Sequence, residues 1–438
     1  MCGSDSGILQ RAEIANYDRG VVPAGKATEI ARGVNSMEQT NQFNRRAFLA
    51  GVGATALIGA TGARAVQSSG PESESLLNSP RWPGSFRASD FQNRFSVLAE
   101  VLEVSRKIPA NDRKAYVAEW SRARDRALDR AHSFERAGRN VSAADAYMQA
   151  SHYTNRIYIL YLRLGDASKA QPTYRESREL FDKGAALAGP ALPYERVSVP
   201  YGKTKLSGIF VAARPSSGAR RPVVYRTGGT DSVKEGSFMT MAWVPFVDRG
   251  VSCFFMDAPG QGEALNEQNL RFPPDFERAI AAAVDYLVTR PDVDAARIGV
   301  YGVSTGGYFA ERGAAFEKRP VAVALQGACY DLLEDCYEYC PSFRPHLRYM
   351  IGAGSDAEAR KLLREYNLAG LTSKITQPVN IVHGMNDEAV RVSGAERFFR
   401  EIASRDKQFT PTSAGHSLDE SILDLVDWIT ARLQSPKA

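Results

Sequence analysis

Residues 297–303, RIGVYGV, are apolar and β-prone, and they run without a linker into Gly302-Val303-Ser304-Thr305-Gly306 and then into a helix-prone stretch over 305–316. A strand that turns directly into a helix at a serine flanked by glycines strongly restricts the architecture around it. The turn forces the serine into a strained backbone conformation at the carboxyl end of the strand, and side chains in place of the glycines would collide with neighbouring strands. Seven further β-rich runs accompany this one, at 196–200, 206–212, 222–226, 251–257, 321–326, 379–383 and 408–412. The first two adjoin and predict an antiparallel start. After them strands alternate with helices expected at 238–248, 274–289, 305–316, 389–403 and 418–433, an order that predicts an α/β domain over 193–438 with a mostly parallel sheet covered on both faces.

A serine hydroxyl is a poor nucleophile unless a base takes its proton and a carboxylate fixes that base. Behind an elbow of this kind the acid and the histidine follow in chain order. The run PVNIVHG ends a strand and leads to Asp387, in the loop where the acid is required. Glu388 competes for the role, but its charge suits the start of the next helix. The chain has five histidines: His132, His152, His346, His383 and His416. His416 alone stands after the acid, in a loop between the last strand and the last helix. His383 precedes the acid at a strand end and reads as structural, His132 and His152 belong to the region before the sheet, and His346 is a candidate pocket residue. An oxyanion would be held by the backbone N–H of Thr305, at the start of the elbow helix, and by that of Gly229 or Thr230 in the loop TGGTD after the third strand. The turn Asp257-Ala258-Pro259-Gly260-Gln261-Gly262-Glu263 reads as rigid, with no chemistry assigned.

The net charge of +5, from 55 basic and 50 acidic residues, is scattered and leaves no footprint for nucleic acid. Five cysteines without a C-x-x-C pair imply neither a disulfide framework nor a metal site, and no cofactor is expected. Residues 1–65 read as an address: Arg45-Arg46 precede a Gly/Ala-rich apolar stretch ending in Ala63-Arg64-Ala65, as in a twin-arginine signal, and the stretch is too weakly apolar for a stable membrane span. Cleavage would leave Val66 first and the mature protein periplasmic or secreted, and Met37 would give the conventional length before the arginines. Residues 66–89 are rich in Ser, Pro and Gly and read as a linker. Over 90–192, apolar and aromatic residues recur at three- and four-residue steps, predicting an all-helical cap domain of about five helices with turns at Gly138 and Gly165.

The stretches TGGTDSVKEGSF, MDAPGQGE, YGVSTGGY, IVHGMNDE and SAGH, preceded by the helical segment, resemble one branch of the α/β-hydrolases. That branch includes 2,6-dihydroxypseudooxynicotine hydrolase, the fungal heptaketide pigment hydrolases and the fermentation-respiration switch esterase-like proteins. The resemblance spans roughly residues 194–433. It implies an α/β-hydrolase fold with a helical cap that helps cover the active site and supports a homodimer, and a triad of Ser304, Asp387 and His416. Its members include esterases and enzymes that hydrolyse a carbon–carbon bond beside a ketone, so the implied partner is a small carbonyl substrate. Some of the latter use an extra acid after the elbow, in a region comparable to that of Glu334 and Asp335 here.

Residues 330–372 form an insertion dense in aromatics, including Tyr330, Tyr337, Tyr339, Phe343, Tyr349 and Tyr366, that reads either as a substrate wall above the sheet or as core packing. The Ser355–Glu358 capping box predicts a helix within it. Cys336 and Cys340 could pair, although their spacing on one helix is poor disulfide geometry. Two other functions compete: a prolyl-oligopeptidase-like peptidase, which usually carries a β-propeller where this chain reads helical, and a non-catalytic binding protein on a hydrolase scaffold, against which all three triad positions are filled in order.

Overall fold

The computed structural model describes residues 95, 97–109, 112–214, 219–416 and 422–434. The expected signal, the alternative start at Met37 and the linker at 66–89 lie outside the described residues. Among the described residues four helices precede the sheet: α1 (Leu98–Arg106), α2 (Arg113–Arg136), α3 (Asn140–Arg163) and α4 (Ala167–Ala188). Asp112 caps α2 by accepting the N–H of Ala115. Gly138 and Gly165 take positive φ just past α2 and α3. The next residues close each end, Arg139 N–H donating to Phe134 O and Asp166 N–H to Tyr161 O, which is the Schellman arrangement. Alanines let these helices pack closely. Ala123, Ala127 and Ala131 line the buried side of α2, and a Cβ on Gly184 of α4 would lie 2.9 Å from Ala144 O of α3. Helix α3 buries residues around its whole circumference, Tyr147, Tyr153 and Tyr158 among them, because α2, α4 and the sheet domain all pack on it.

The sheet contains β1 (Glu195–Tyr201), β2 (Thr204–Val211), β3 (Arg221–Thr227), β4 (Ser252–Met256), β5 (Val293–Val303), β6 (Ala322–Gln326), β7 (Val379–Gly384) and β8 (Lys407–Thr412). Their order is β1-β2-β4-β3-β5-β6-β7-β8. The pairs β1–β2 and β2–β4 are antiparallel and the rest parallel, as the strand order in the sequence predicts. The central strands are buried on both faces and their side chains alternate between two cores, whereas the edge strand β8 has no buried residue and β1 buries only Val197 and Val199. Val223 and Tyr225 of β3 join the core under α8 (Glu277–Thr289) and α9 (Thr305–Phe316), whereas Val224 joins the opposite core with Leu425, Ile429 and Leu433 of α13 (Ile422–Gln434).

Two expected helices change. The one predicted at 238–248 is split into α5 (Lys234–Met239) and α6 (Val244–Asp248), with Met241 at φ 57° between them. Pro245 accounts for the break, since in a continuous helix its ring would strike the carbonyl of Met241. The helix predicted at 389–403 starts only at Val392, as α12 (Val392–Glu401), because Asp387 Oδ1 accepts the N–H groups of Ala389 and Val390 and holds them in a loop. A short helix, α7 (Gly262–Asn266), follows the turn after β4.

The insertion carries a π-helical segment, Leu333–Glu338, then α10 (Arg344–Ile351) and α11 (Asp356–Leu363). Ser355 caps α11 by accepting the N–H of Glu358, as predicted. Of its aromatics, Tyr330, Tyr337, Tyr349 and Tyr366 are buried and belong to the same core cluster as Val223 and Tyr225, and Tyr339 is exposed. Cys336 lies beside Cys329, their sulfurs 3.6 Å apart as free thiols, whereas Cys340 contacts Ser342. The spatial neighbour of Cys336 is thus seven residues upstream, at the end of the β6 turn, and not on its own helical segment.

Candidate active site

The register of the parallel strands brings the carboxyl ends of β5, β6, β7 and β8 side by side: Val303 opposite Gln326, Gln326 opposite Val382, and Gly384 opposite Thr412. Three of these ends carry the residues expected from the sequence. Ser304 follows β5, Asp387 lies three residues past β7, and His416 four past β8.

Ser304 has φ 59° and ψ −130°, a conformation that costs an L-residue on the order of 1–3 kcal/mol. It is held there by its own N–H, which donates to Gln326 O, and by its carbonyl, which accepts from Gly307 N–H. The elbow glycines are sterically required. A Cβ on Gly302 would lie 2.4 Å from Gly306 O, and one on Gly306 would lie 2.3 Å from Thr227 O. Thr305 is the first residue of α9, so its N–H has no acceptor within the helix.

The Asp387 and His416 loops are laced together. Met385 N–H donates to Thr412 O, Asn386 N–H to Ala414 O, and the Asn386 side chain to Ser413 O. Within this frame His416 Nδ1 lies 2.7 Å from Asp387 Oδ2 and 2.9 Å from Oδ1. Burial by itself would raise the Asp387 carboxyl. Hydrogen bonds from His383, His416 and the Val390 N–H overcome this and hold it far below the usual carboxylate range. An ionised Asp387 accepts from Nδ1–H of His416, which leaves Nε2 as the basic nitrogen.

His383 braces the same carboxylate. It is fully buried, and its Nδ1 accepts the N–H of Ala328, so its proton is on Nε2. Nε2 donates to Val390 O at 3.0 Å and lies 3.5 Å from Asp387 Oδ2. The exposed Tyr339 adds a contact from the insertion, its hydroxyl donating to Asp387 O at 2.7 Å.

The loop after β3 approaches the elbow closely: a Cβ on Gly229 would lie 3.0 Å from Ser304 Cβ and 3.2 Å from its Oγ. Thr230 is buried beside it. Two features of this loop were not legible as function in the sequence. The buried Gln261 side-chain amide donates to Gly228 O at 2.9 Å and to Gly229 O at 2.8 Å. Behind it, the fully buried Lys234 lies 2.9 Å from Asp257, 2.8 Å from Glu235 and 3.0 Å from Glu263, and Tyr174 of α4 donates to the same Asp257 oxygen. Arg163 at the end of α3 pairs with Asp231 at 2.7 Å. The helical segment is therefore bonded directly to the loop that faces Ser304.

The remaining sequence candidates lie in the insertion. Glu334 is exposed. His346 is fully buried, and Tyr337 is buried with its hydroxyl on Asp356. Asp335 is buried, and its Oδ2 accepts the N–H groups of Tyr330 and Asp331. Burial raises its carboxyl from the ordinary 3.8 to about 6. The folded state therefore keeps this proton to higher pH than the unfolded chain, and the group's contribution to stability is greatest below about pH 4 and falls as pH rises to about 6. Asp335→Asn, whose amide oxygen can keep both N–H bonds, should gain stability relative to the parent over that interval, by about 3 kcal/mol at pH 7. Urea melts at pH 4 and pH 7 measure the difference, and an equal effect at both pH values would contradict it.

Among the described residues no group of His, Cys, Asp and Glu side chains is arranged to hold a metal ion. The solved structure of 2,6-dihydroxy-pseudo-oxynicotine hydrolase is similar over 77% of this chain and 93% of that one, with a TM-score of 0.67 at 23% identity. The chain has the α/β-hydrolase fold. The pattern of the prolyl oligopeptidase family matches residues 243–429, from α6 to α13. Among curated relatives, hydrolase acrC of Aspergillus aculeatus is 29% identical over 253 residues, covering 54% of this chain and 58% of that protein. Alpha/beta hydrolase psoB of Aspergillus fumigatus is 29% identical over 241 residues, covering 52% and 54%. The chain thus spans a little over half the length of these relatives. For this α/β-hydrolase fold, the match with the pseudo-oxynicotine enzyme extends well beyond the sheet domain alone.

Proposed function

We propose that the protein is a serine hydrolase that cleaves an ester, or a carbon–carbon bond beside a ketone, in a small carbonyl substrate. The observation that carries this reading is the strained Ser304 set at one strand end while Asp387 and His416 are bonded to each other at the ends of the strands beyond. His416 Nε2 takes the Ser304 proton as Oγ attacks the carbonyl carbon. The negative charge on the carbonyl oxygen is met by the N–H of Thr305 and that of Gly229 or Thr230. Collapse expels the leaving group, which receives the proton from His416, and a water activated by the same histidine releases the acyl group. Asp387 stays ionised throughout and stabilises the imidazolium. The likeness to a 2,6-dihydroxy-pseudo-oxynicotine hydrolase supports an aromatic substrate, and Arg45-Arg46 with its apolar stretch supports action outside the cytoplasm.

The match to the prolyl oligopeptidase family favours a second reading, a peptidase. A parallel screen of aryl esters, aromatic β-diketones and short peptides, followed by mass spectrometry, separates the two. Release of a carboxylic acid from an ester or diketone is expected. Cleavage of peptides alone would replace the first reading with the second.

A further inference from the structure

We propose that Gln261 is a positioning residue that sets the oxyanion hole, an inference that rests on the serine-hydrolase reading. The turn carrying it is built to aim it. Gly262 has positive φ, and a Cβ there would lie 2.1 Å from the Asp257 carboxylate, so the chain must pass close over Asp257. Asp257 in turn is fixed by the backbone N–H groups of Lys234 and Glu263 and by the Lys234 ammonium. From this base the Gln261 side chain crosses to the loop after β3 and gives one amide hydrogen to each of two successive carbonyls, those of Gly228 and Gly229. Both partners are acceptors only, so the amide has one allowed orientation, with Nε2 toward them.

The consequence follows from peptide geometry. In a trans peptide the C=O and the following N–H point in opposite directions. Drawing the Gly228 carbonyl toward Gln261 turns the Gly229 N–H away from it, and drawing the Gly229 carbonyl does the same for the Thr230 N–H. The side of Gly229 that bears no side chain is the side against Ser304, 3.2 Å from Oγ at the Cβ position. Glycines at 228 and 229 carry no Cβ to restrict these peptides, and within the loop a longer bond, from Ser232 N–H to Gly229 O at 3.2 Å, also holds the second carbonyl. Gln261 thus adds from the side a restraint on both carbonyls at once, at 2.9 and 2.8 Å, and an oxyanion donor is effective only when it is fixed before the charge develops.

Gln261→Ala removes both hydrogen bonds, and Gln261→Glu places a carboxylate against two carbonyl oxygens at nearly constant volume. With a p-nitrophenyl ester, both variants should lower kcat by about 30–100-fold, because a small misplacement of a catalytic group costs that much, with KM within about threefold. Inhibition by a trifluoromethyl ketone, whose adduct with the serine carries the oxyanion, should weaken by a similar factor. A fluorophosphonate probe applied to parent and variants, with a thermal melt of each, completes the experiment. Wild-type kcat and ketone affinity in both variants would overturn the inference, and so would a fall in kcat matched by a fall in melting temperature with the ketone affinity retained. A parent protein that neither turns over the ester nor reacts with the probe would overturn the serine-hydrolase reading itself, and this inference with it.

Discussion

Replacing Ser304 by alanine is expected to reduce turnover by about a million-fold while leaving the fold intact. The loss is that large because the three groups act as one unit: without the hydroxyl, His416 has no proton to take and Asp387 nothing to orient. The backbone donors persist, so a residual rate above that of water is expected from them and from substrate binding. Folding should not suffer. The variant removes one oxygen, and the conformation of residue 304 is imposed by Gln326 O and Gly307 N–H, which bond to its backbone and not to its side chain. Alanine at φ 59° is no more strained than serine. Melting temperature and circular dichroism, measured beside kcat, make the comparison; turnover within tenfold of the parent would contradict the role assigned to Ser304.

Asp387→Asn is expected to lower kcat by about ten thousand-fold. In the native site the carboxylate accepts two backbone hydrogen bonds, from Ala389 and Val390, on Oδ1, and one from His416 at 2.7 Å on Oδ2, with His383 Nε2 3.5 Å from the same Oδ2. An asparagine must keep its oxygen at the Oδ1 position, because two N–H groups point there. Its NH2 then falls where Oδ2 stood and donates to His416 Nδ1. That forces the His416 proton onto Nε2, the nitrogen that must be unprotonated to act as base. The prediction is therefore specific: the geometry survives, the tautomer is wrong, and the activity is lost. Part of the loss should return at high pH if hydroxide can replace the base, whereas no such recovery is expected for Ser304→Ala. A variant that retains most of its activity at neutral pH would show that Glu388, the competing acid, serves instead.

The sheet was legible in the sequence because each strand ran as a short apolar segment bounded by turn residues, and because strands and helices alternated after β2. The elbow and the acid and histidine loops were legible for a related reason: each sits immediately past a strand, so the local pattern locates it. What the pattern could not locate were interactions made across the sheet by residues far apart in the chain. Gln261 reaches Gly228 and Gly229 over 33 and 32 positions, and Tyr174 reaches Asp257 over 83. Nothing in the turn Asp257–Glu263 read by itself says which way a glutamine side chain will point. Lys234 was hidden for the opposite reason. A lysine is ordinarily exposed, and only the convergence of Asp257, Glu235 and Glu263 around it makes complete burial tolerable. The helix break at Met241 could have been anticipated from Pro245, which periodicity alone passes over.

His383 illustrates how chain order and geometry complement each other. Order excludes it as the base because it precedes the acid, and its Nδ1 and Nε2 are both committed, to Ala328 N–H and to Val390 O. Yet it also stands against Asp387 Oδ2, so its structural role is exercised on the carboxylate that His416 binds.

The central claim is that Ser304 is the nucleophile. Its most direct test is fluorophosphonate labelling of the purified protein, followed by intact mass and by peptide mapping of the adduct. A single adduct on the peptide bearing Ser304, absent from Ser304→Ala and lost as His416 is replaced, is the predicted result. An adduct on another residue, or active protein that the probe leaves unmodified, would contradict it.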